Sequence, residues 1–177
     1  MTIQKIITEP NKILRQKSIA VEKVDKNIQR LMDDMLETLY AAPGIGLAAI
    51  QVGVAKRVIV IDTSRGREKE PKNPMYFVNP EIFWKSEEKN IYEEGCLSVP
   101  NQFAEIDRPK QCHLKYLDYN GNPKEIKAEG LLATCIQHEI DHLEGILFID
   151  YLSKLKKEMI IKKLSKQKKE NIDRIVV

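Results

Sequence analysis

The sequence lacks both a long apolar run and an even number of cysteines. No stretch approaches the roughly 18 apolar residues that a membrane-spanning helix requires, so no membrane partner is expected. Its cysteines are Cys96, Cys112 and Cys135, and an odd number does not form a fully paired disulfide framework. The first residues, MTIQKIITEPNK, contain neither an apolar signal core nor an Arg- and Ser-rich transit pattern. We therefore expect a cytoplasmic, reducing location in which thiols remain available as ligands.

Internal repeats and a long Gly/Ser linker are also missing. A chain of 177 residues, 42% of them hydrophobic, is expected to form one domain over residues 1–177 and to bury roughly 70% of its unfolded surface. The net charge of +3 is uneven: residues 154–174 contain nine Lys and Arg against three acidic residues, which leaves the rest at −3. This basic C-terminal helix is interpreted either as a solvated face or as a surface for RNA.

The periodicity of apolar residues predicts the secondary structure. Positions 25–44, DKNIQRLMDDMLETLYAAPG, predict an amphipathic helix with Asp25 as its N-cap. RVIVID and MYFVNPEIFWKS predict strands, and QCHLKYLDYNGNPKEIKA predicts a hairpin that turns at Asn120 and Gly121. A second, mostly buried helix begins at Gly130. Without a repeating βαβ rhythm, these elements predict an α+β fold with antiparallel β-sheets around a central helix.

That central helix carries the motif HExxH. His138 and His142 stand four residues apart, so both imidazoles project from one face of the helix, with Glu139 beside them. The spacing suits a divalent metal with nitrogen ligands, and the glutamate is placed to handle the proton of water. Two histidines alone do not make a catalytic site, so a third ligand is required.

Most candidates for the third ligand are disfavoured by their position. Phe148 fills the slot in which an HExxHxxGxxH metalloprotease has its last histidine. Glu158 and Glu170 lie in the lysine-rich tail, a poor place for a buried ligand. His113 is a lone strand histidine, which is more often a packed residue than a ligand. Cys135 lies on the motif helix itself, about 10 Å along the axis from the second histidine.

Cys96 is the remaining candidate. It lies in EEGCLSVP, between Gly95 and Pro100, in a segment predicted to be a strand end or loop. From there a thiolate can approach a helix from outside. With the two histidines it gives three protein ligands and an open fourth position, the arrangement of a catalytic site. Cys112 and Cys135 are expected to pack as small apolar residues.

The segment PGIGLAAIQVG contains GxGxxA but follows a helix and precedes a strand, the reverse of a dinucleotide fingerprint, so a nucleotide site is rejected. Its glycines instead suit the close approach of an extended ligand, and Gln51 offers an amide donor for a developing oxyanion.

Taken in order, GIGLAAIQ (44–51), EEGCLSVP (93–100) and QHEIDHLEG (137–145) resemble the three motifs of bacterial peptide deformylases, and the order of elements agrees along the whole chain. The resemblance implies a metal-dependent hydrolase that removes the formyl group from the N-terminal methionine of nascent peptides and releases formate. It implies one Fe²⁺ per chain, held by Cys96, His138 and His142. By ligand chemistry alone, Zn²⁺, Ni²⁺ or Co²⁺ would serve as well.

The resemblance also implies how a peptide is held. The oxyanion is received by the metal, the Gln51 amide and the backbone N–H of Leu97, while Glu139 transfers the proton to the leaving amine. The peptide lies as an added strand between the segment containing Ile45 and Gly46 and the segment containing Gly95. A pocket containing Leu131 and Thr134 receives the methionine side chain.

Two further expectations follow from the resemblance. Glu94 and Arg108 are expected to form an ion pair that fixes the loop of Cys96. Phe103 stands where some members of the family have arginine, so a guanidinium contact to the peptide is not expected from that position.

Two other functions stay open at the level of sequence. One is a metal-dependent aminopeptidase or another amidase, which would act on free rather than formylated N-termini. The other is a ribosome- or RNA-binding module, without specific DNA binding, in which the basic helix matters most and the metal is structural. A structural site needs a fourth protein ligand, and the sequence offers no evident one.

Overall fold

Three helices and seven strands make up the computed structural model, which describes residues 2–65, 70–166 and 176. The α-helices are α1 (Lys26–Ala41), α2 (Gly130–Leu143) and α3 (Lys154–Lys166), and short 3₁₀ helices span Lys12–Arg15, Ala49–Val52 and Phe148–Tyr151. The strands are β1 (Gly46–Ala48), β2 (Val58–Ile61), β3 (Met75–Lys85), β4 (Lys89–Cys96), β5 (Val99–Pro109), β6 (Gln111–Leu117) and β7 (Pro123–Glu129).

The strands form two antiparallel sheets. The larger has five strands in the order β1-β2-β3-β6-β7, with β1 at its edge. The smaller is the hairpin of β4 and β5. The helices are not threaded between parallel strands, so the predicted α+β class is confirmed.

Helix α1 begins where the sequence predicts. The Asp25 side chain accepts hydrogen bonds from the amides of Asn27 and Ile28 and caps the first turn. Met32, Met35 and Leu39 are fully buried, so the apolar stripe faces the core. The chain leaves the helix just before Pro43 and leads directly into β1.

Helix α2 lies against β1 and β7. It is mostly buried, as the apolar residues around its two histidines predict. It begins at Gly130, whose φ of +60° falls in the left-handed region that favours glycine. Ala133, Cys135 and Ile136 join the core between the helix and the five-stranded sheet, and Cys112 of β6 joins it from the sheet side. Both cysteines therefore pack as small apolar residues.

The hairpin of β4 and β5 brings a loop to the centre of the molecule. Its strands pair from Lys89 opposite Pro109 to Cys96 opposite Val99, with an irregularity between Gly95 and Cys96. Leu97 and Ser98 form the tight turn. The end of this long hairpin thus carries the thiol of Cys96 into the interior.

Helix α3 covers the smaller sheet. Ile160, Ile161 and Leu164 pack against a cluster that includes Val99 and Phe148, while the lysines of the opposite face are exposed. The sequence predicts a basic helix over 154–174; its first part is confirmed, and positions 167–174 lie outside the described residues. None of the helices in the described part of the chain is long and apolar enough to cross a membrane.

Candidate active site

Helix α2 presents both histidines of the HExxH motif on one face. The rings of His138 and His142 lie one turn apart with centroids 5.1 Å from each other, and both residues are almost completely buried. Buried imidazoles normally have specific partners, because an unpaired polar group in the interior is costly.

The thiol of Cys96 completes a group of three. Its Sγ lies 3.3 Å from Nε2 of His142, and one ligand atom from each of Cys96, His138 and His142 lies within 4.8 Å of the other two. Within residues 2–65, 70–166 and 176, no other cluster of His, Cys, Asp and Glu has such geometry. His113 is elsewhere, with its ring tilted by 34° against that of Trp84 and ring centroids 4.3 Å apart.

This group fits a metal ion. Nε2 of His138 is buried and has no hydrogen-bond partner among the described residues, as expected of a nitrogen that binds a metal. One thiolate and two imidazoles are suitable ligands for several divalent transition metals. Three protein ligands leave a fourth position for water or a substrate.

Glu139 lies beside the group, fully buried, and neither of its carboxylate oxygens has a partner in the described part of the protein. Burial raises the pKa of this carboxyl to about 7, which suits a group that both accepts and donates a proton near neutral pH. A Cβ placed on Gly46 would lie 2.5 Å from Oε1 of Glu139 and 2.8 Å from Sγ of Cys135. The second glycine of GIGLAAIQ is therefore required by this close approach.

Gln51 links the first two sequence motifs. Its Oε1 accepts a hydrogen bond from the amide of Ala48 at 2.8 Å, which orients the side chain. Its Nε2 donates to Oγ of Ser98 at 3.1 Å and lies 3.6 Å from Sγ of Cys96. The amide of Ser98 also points at this sulfur, at 3.4 Å. The amide donor that the sequence predicts at Gln51 therefore lies beside the sulfur of Cys96.

A buried network of charged side chains contacts His138 on the ring nitrogen that faces away from the ligand group. Arg108 contacts Glu94 through two nitrogens, at 2.5 and 3.0 Å, so the structure contains the predicted ion pair. The sequence did not reveal two further contacts: Glu94 lies 2.9 Å from Nδ1 of His138, and Arg108 donates to Asp141 at 2.8 Å. Burial alone would raise the pKa of Glu94, but its bonds to His138 and Arg108 outweigh burial and lower it. Glu94 is therefore an anion that orients the imidazole of His138.

The residues expected to hold a peptide lie on the segment leading into β1, at the end of β4 and on α2. A Cβ on Gly44 would lie 2.7 Å from Cδ1 of Leu97, so the segment leading into β1 and the turn after Cys96 face each other. Leu131 and Thr134 lie on the first turns of α2, before the histidines. Ser98 was missed as a partner of the site, although it lies within EEGCLSVP.

Comparison with known proteins finds similar sequences along nearly the whole chain. Residues 3–158 match the family model described as polypeptide deformylase. A protein of Pelagibacter ubique named peptide deformylase is 66% identical over 172 residues, which are 97% of this chain and 99% of that protein.

Two solved structures with a similar fold are also peptide deformylases. A peptide deformylase from Ehrlichia chaffeensis in complex with actinonin matches 96% of this chain and 100% of its own, with 48% identity and a TM-score of 0.90. A class I type b peptide deformylase from Acinetobacter baumannii, with Met-Ala-Ser bound, matches 85% of this chain and 99% of its own, with 34% identity and a TM-score of 0.80.

Proposed function

The chain belongs to the polypeptide deformylase family, whose members are metal-dependent hydrolases that remove the formyl group from an N-terminal methionine, and we propose that Cys96, His138 and His142 bind the metal. One observation carries this assignment. The three buried ligand atoms lie within 4.8 Å of one another, next to the carboxylate of Glu139, which has no hydrogen-bond partner among the described residues.

The metal we propose is Fe²⁺, one per chain, with Zn²⁺, Ni²⁺ or Co²⁺ able to replace it. A thiolate and two imidazoles suit all four ions, and the resemblance of the motifs favours iron. The bound ion supplies Lewis acidity, which lowers the pKa of water and polarises a carbonyl oxygen.

Glu139 moves the proton of the reaction. It accepts a proton from the water that adds to the formyl carbon and delivers it to the nitrogen of the leaving amine as the C–N bond breaks. The products are formate and a peptide with a free N-terminus. The position of Glu139 next to the ligand group, and its pKa of about 7, support this role.

Two N–H groups of the chain stabilise the developing oxyanion. These are Nε2 of Gln51, held toward Cys96 by its bonds to Ala48 and Ser98, and the backbone amide of Leu97. Each donor contributes about 3 kcal/mol to lowering the barrier.

The formyl peptide binds as an added strand. Ile45 and Gly46 on one side and Gly95 on the other border the groove, and strand addition holds the backbone whatever the later side chains are. Leu131 and Thr134 line the pocket for methionine. The Met-Ala-Ser complex of the Acinetobacter baumannii relative supports a peptide of this length as ligand.

We further propose that residues 1–177 form one catalytic domain that works in the cytoplasm and meets nascent chains at the ribosome through α3. The outer face of this helix combines Lys162, Lys163 and Lys166 with Leu155 and Met159, which are 69% and 51% exposed. A basic surface with apolar residues suits ribosomal RNA and protein.

The test is an assay of the metal-loaded protein on formyl-Met-Ala-Ser and on Met-Ala-Ser. Formate released from the first peptide, with no methionine released from the second, is the expected result. Release of methionine from the free peptide would instead identify an aminopeptidase. A metal-loaded protein that binds ribosomes but acts on neither peptide would indicate a binding module with a structural metal.

A further inference from the structure

Val176, far along the sequence from the site, lies next to the segment that leads into β1. It forms a parallel bridge with Gly44. Its carbonyl oxygen accepts a hydrogen bond from the amide of Ile45 at 2.8 Å, and its own amide donates to the carbonyl of Pro43 at 2.5 Å. Val176 thus pairs, as a single residue, with the segment that leads into β1, the edge strand of the five-stranded sheet.

The side chain of Val176 is buried as well. It is only 5% exposed and packs in a cluster with Leu39, Leu47 and Leu97. A Cβ on Gly95 would lie 2.7 Å from Cγ1 of Val176, so the valine rests directly on the glycine of EEGCLSVP. Val176 therefore lies between residues 43–45 on one side and Gly95 on the other.

This is the place assigned above to the formyl peptide. The amide of Ile45 donates to one strand at a time, and Val176 already fills the space that the ring of Phe103 leaves beside Gly95. Val176 and a bound peptide therefore exclude each other. An internal valine has no formyl group, so its presence in the groove blocks the site without being a substrate.

We propose that Val176 is an internal competitor that closes the peptide groove, and that a formyl peptide must displace it before binding. The proposal rests on the assignment of the groove in the proposed function. The apparent peptide affinity is then the intrinsic affinity multiplied by the fraction of molecules with an open groove. If Val176 occupies the groove in nine-tenths of the molecules, peptide binding is about tenfold weaker. The rate of the chemical step is unaffected once the peptide is in place.

Two full-length variants test the proposal. Val176→Asp puts a charge into the apolar contact with Gly95, and Val176→Pro removes the N–H that bonds to Pro43. We expect the Kd of Met-Ala-Ser, measured by calorimetry on the metal-loaded protein, and the KM of formyl-Met-Ala-Ser each to fall at least about threefold, with kcat unchanged. Ile3→Asp, at a residue 64% exposed, is the matched control for the added charge and should change neither.

A second arm needs no variant. The free peptide IDRIVV, residues 172–177, should inhibit the unaltered enzyme competitively against formyl-Met-Ala-Ser, and IDRIDV, altered only at the position of Val176, should not. A tethered segment acts at an effective concentration in the millimolar range, so the peptides are used at about 5 mM. This arm decides the matter if a substituted chain does not fold.

Unchanged or weaker peptide binding in both folded variants, or equal effects of the two free peptides, would overturn the proposal. A failure of the proposed function looks different. In that case no form of the protein releases formate, while calorimetry with Met-Ala-Ser still reports whether Val176 competes with a peptide.

Discussion

Nδ1 of His138 lies 2.9 Å from a carboxylate oxygen of Glu94, although 44 residues separate them in the sequence. The other ring nitrogen, Nε2, has no hydrogen-bond partner in the part of the chain that the structure describes. A carboxylate that accepts a hydrogen bond from Nδ1–H favours the tautomer whose Nε2 has the free lone pair, and it fixes the plane of the ring. The contact therefore prepares one nitrogen of the HExxH motif to bind a metal.

Glu94→Gln should weaken metal binding about 10- to 100-fold, because an amide oxygen is a weaker acceptor and the ion pair with Arg108 is lost. Competition with a chelator measures the affinity. Glu93→Gln, at the neighbouring exposed position of β4, is the control and should bind metal normally. Equal affinities for the two variants would show that Glu94 does not orient the ligand.

Glu139→Gln should retain the metal but lose deformylation by at least about 100-fold, because general acid–base catalysis contributes that much or more. Glu144→Gln makes the same change at the end of the same helix, where the side chain pairs with Lys17 and Arg57, and should remain active. Formate release and metal content are measured on both. Near-normal turnover by Glu139→Gln would exclude Glu139 as the proton carrier.

The parts of the structure that the sequence predicts are those encoded by short-range patterns of residues. Helix α1 has its own cap at Asp25, and α2 carries its apolar face and the HExxH spacing within 14 residues, so both are visible without tertiary contacts. The α+β class and the turn at Gly121, with its φ of +83°, follow from the same short-range signals.

Long-range contacts explain the remainder. Of the β4–β5 hairpin, the sequence predicts only a strand end or loop near Cys96, because the charged run at Glu93 and Glu94 blurs the alternation of apolar residues. The bond between Glu94 and His138 depends on how that hairpin docks on α2. No local pattern indicates that Val176 lies beside Gly44, because this bridge joins positions 132 residues apart.

Exchanging Lys162, Lys163 and Lys166 for Glu should weaken association with ribosomes, most visibly at low salt, while activity on a tripeptide survives. This change is preferable to ending the chain after Ser153, which would also remove the packing of Ile160 and Leu164. Cosedimentation with ribosomes over a range of salt concentrations measures the effect. Exchange of three exposed lysines elsewhere, Lys5, Lys124 and Lys127, is the control. Equal binding by both variants would leave α3 as a solvated face.

Asp150 is expected to stabilise the fold in a pH-dependent way. Burial by itself would raise its pKa, but its bonds to Lys157, the Leu147 amide and Arg15 outweigh burial and lower it. A lowered pKa means that the stabilisation is present above the ordinary value of 3.8 and is lost as the pH falls through the lower value of the folded state.

Asp150→Asn should therefore reduce the free energy of unfolding by about 2 kcal/mol at neutral pH, the size expected for charged hydrogen bonds. The difference from the unaltered protein should shrink as the pH falls below 3.8. Denaturant titrations at several pH values measure it. A difference that is the same at every pH would show that the charge of Asp150 plays no part.

Metal content per chain in four single variants, three at the cysteines and one at His113, tests the central assignment most directly, on protein purified without oxygen. Cys96→Ser should lose both metal and activity, because a serine hydroxyl resists the deprotonation that makes a thiolate a strong ligand. Cys112→Ser and Cys135→Ser should keep a full complement, with stability losses of about 1 kcal/mol from a buried hydroxyl. A full complement in Cys96→Ser, together with loss of metal in Cys135→Ser or His113→Ala, would contradict the assignment of Cys96 as the third ligand.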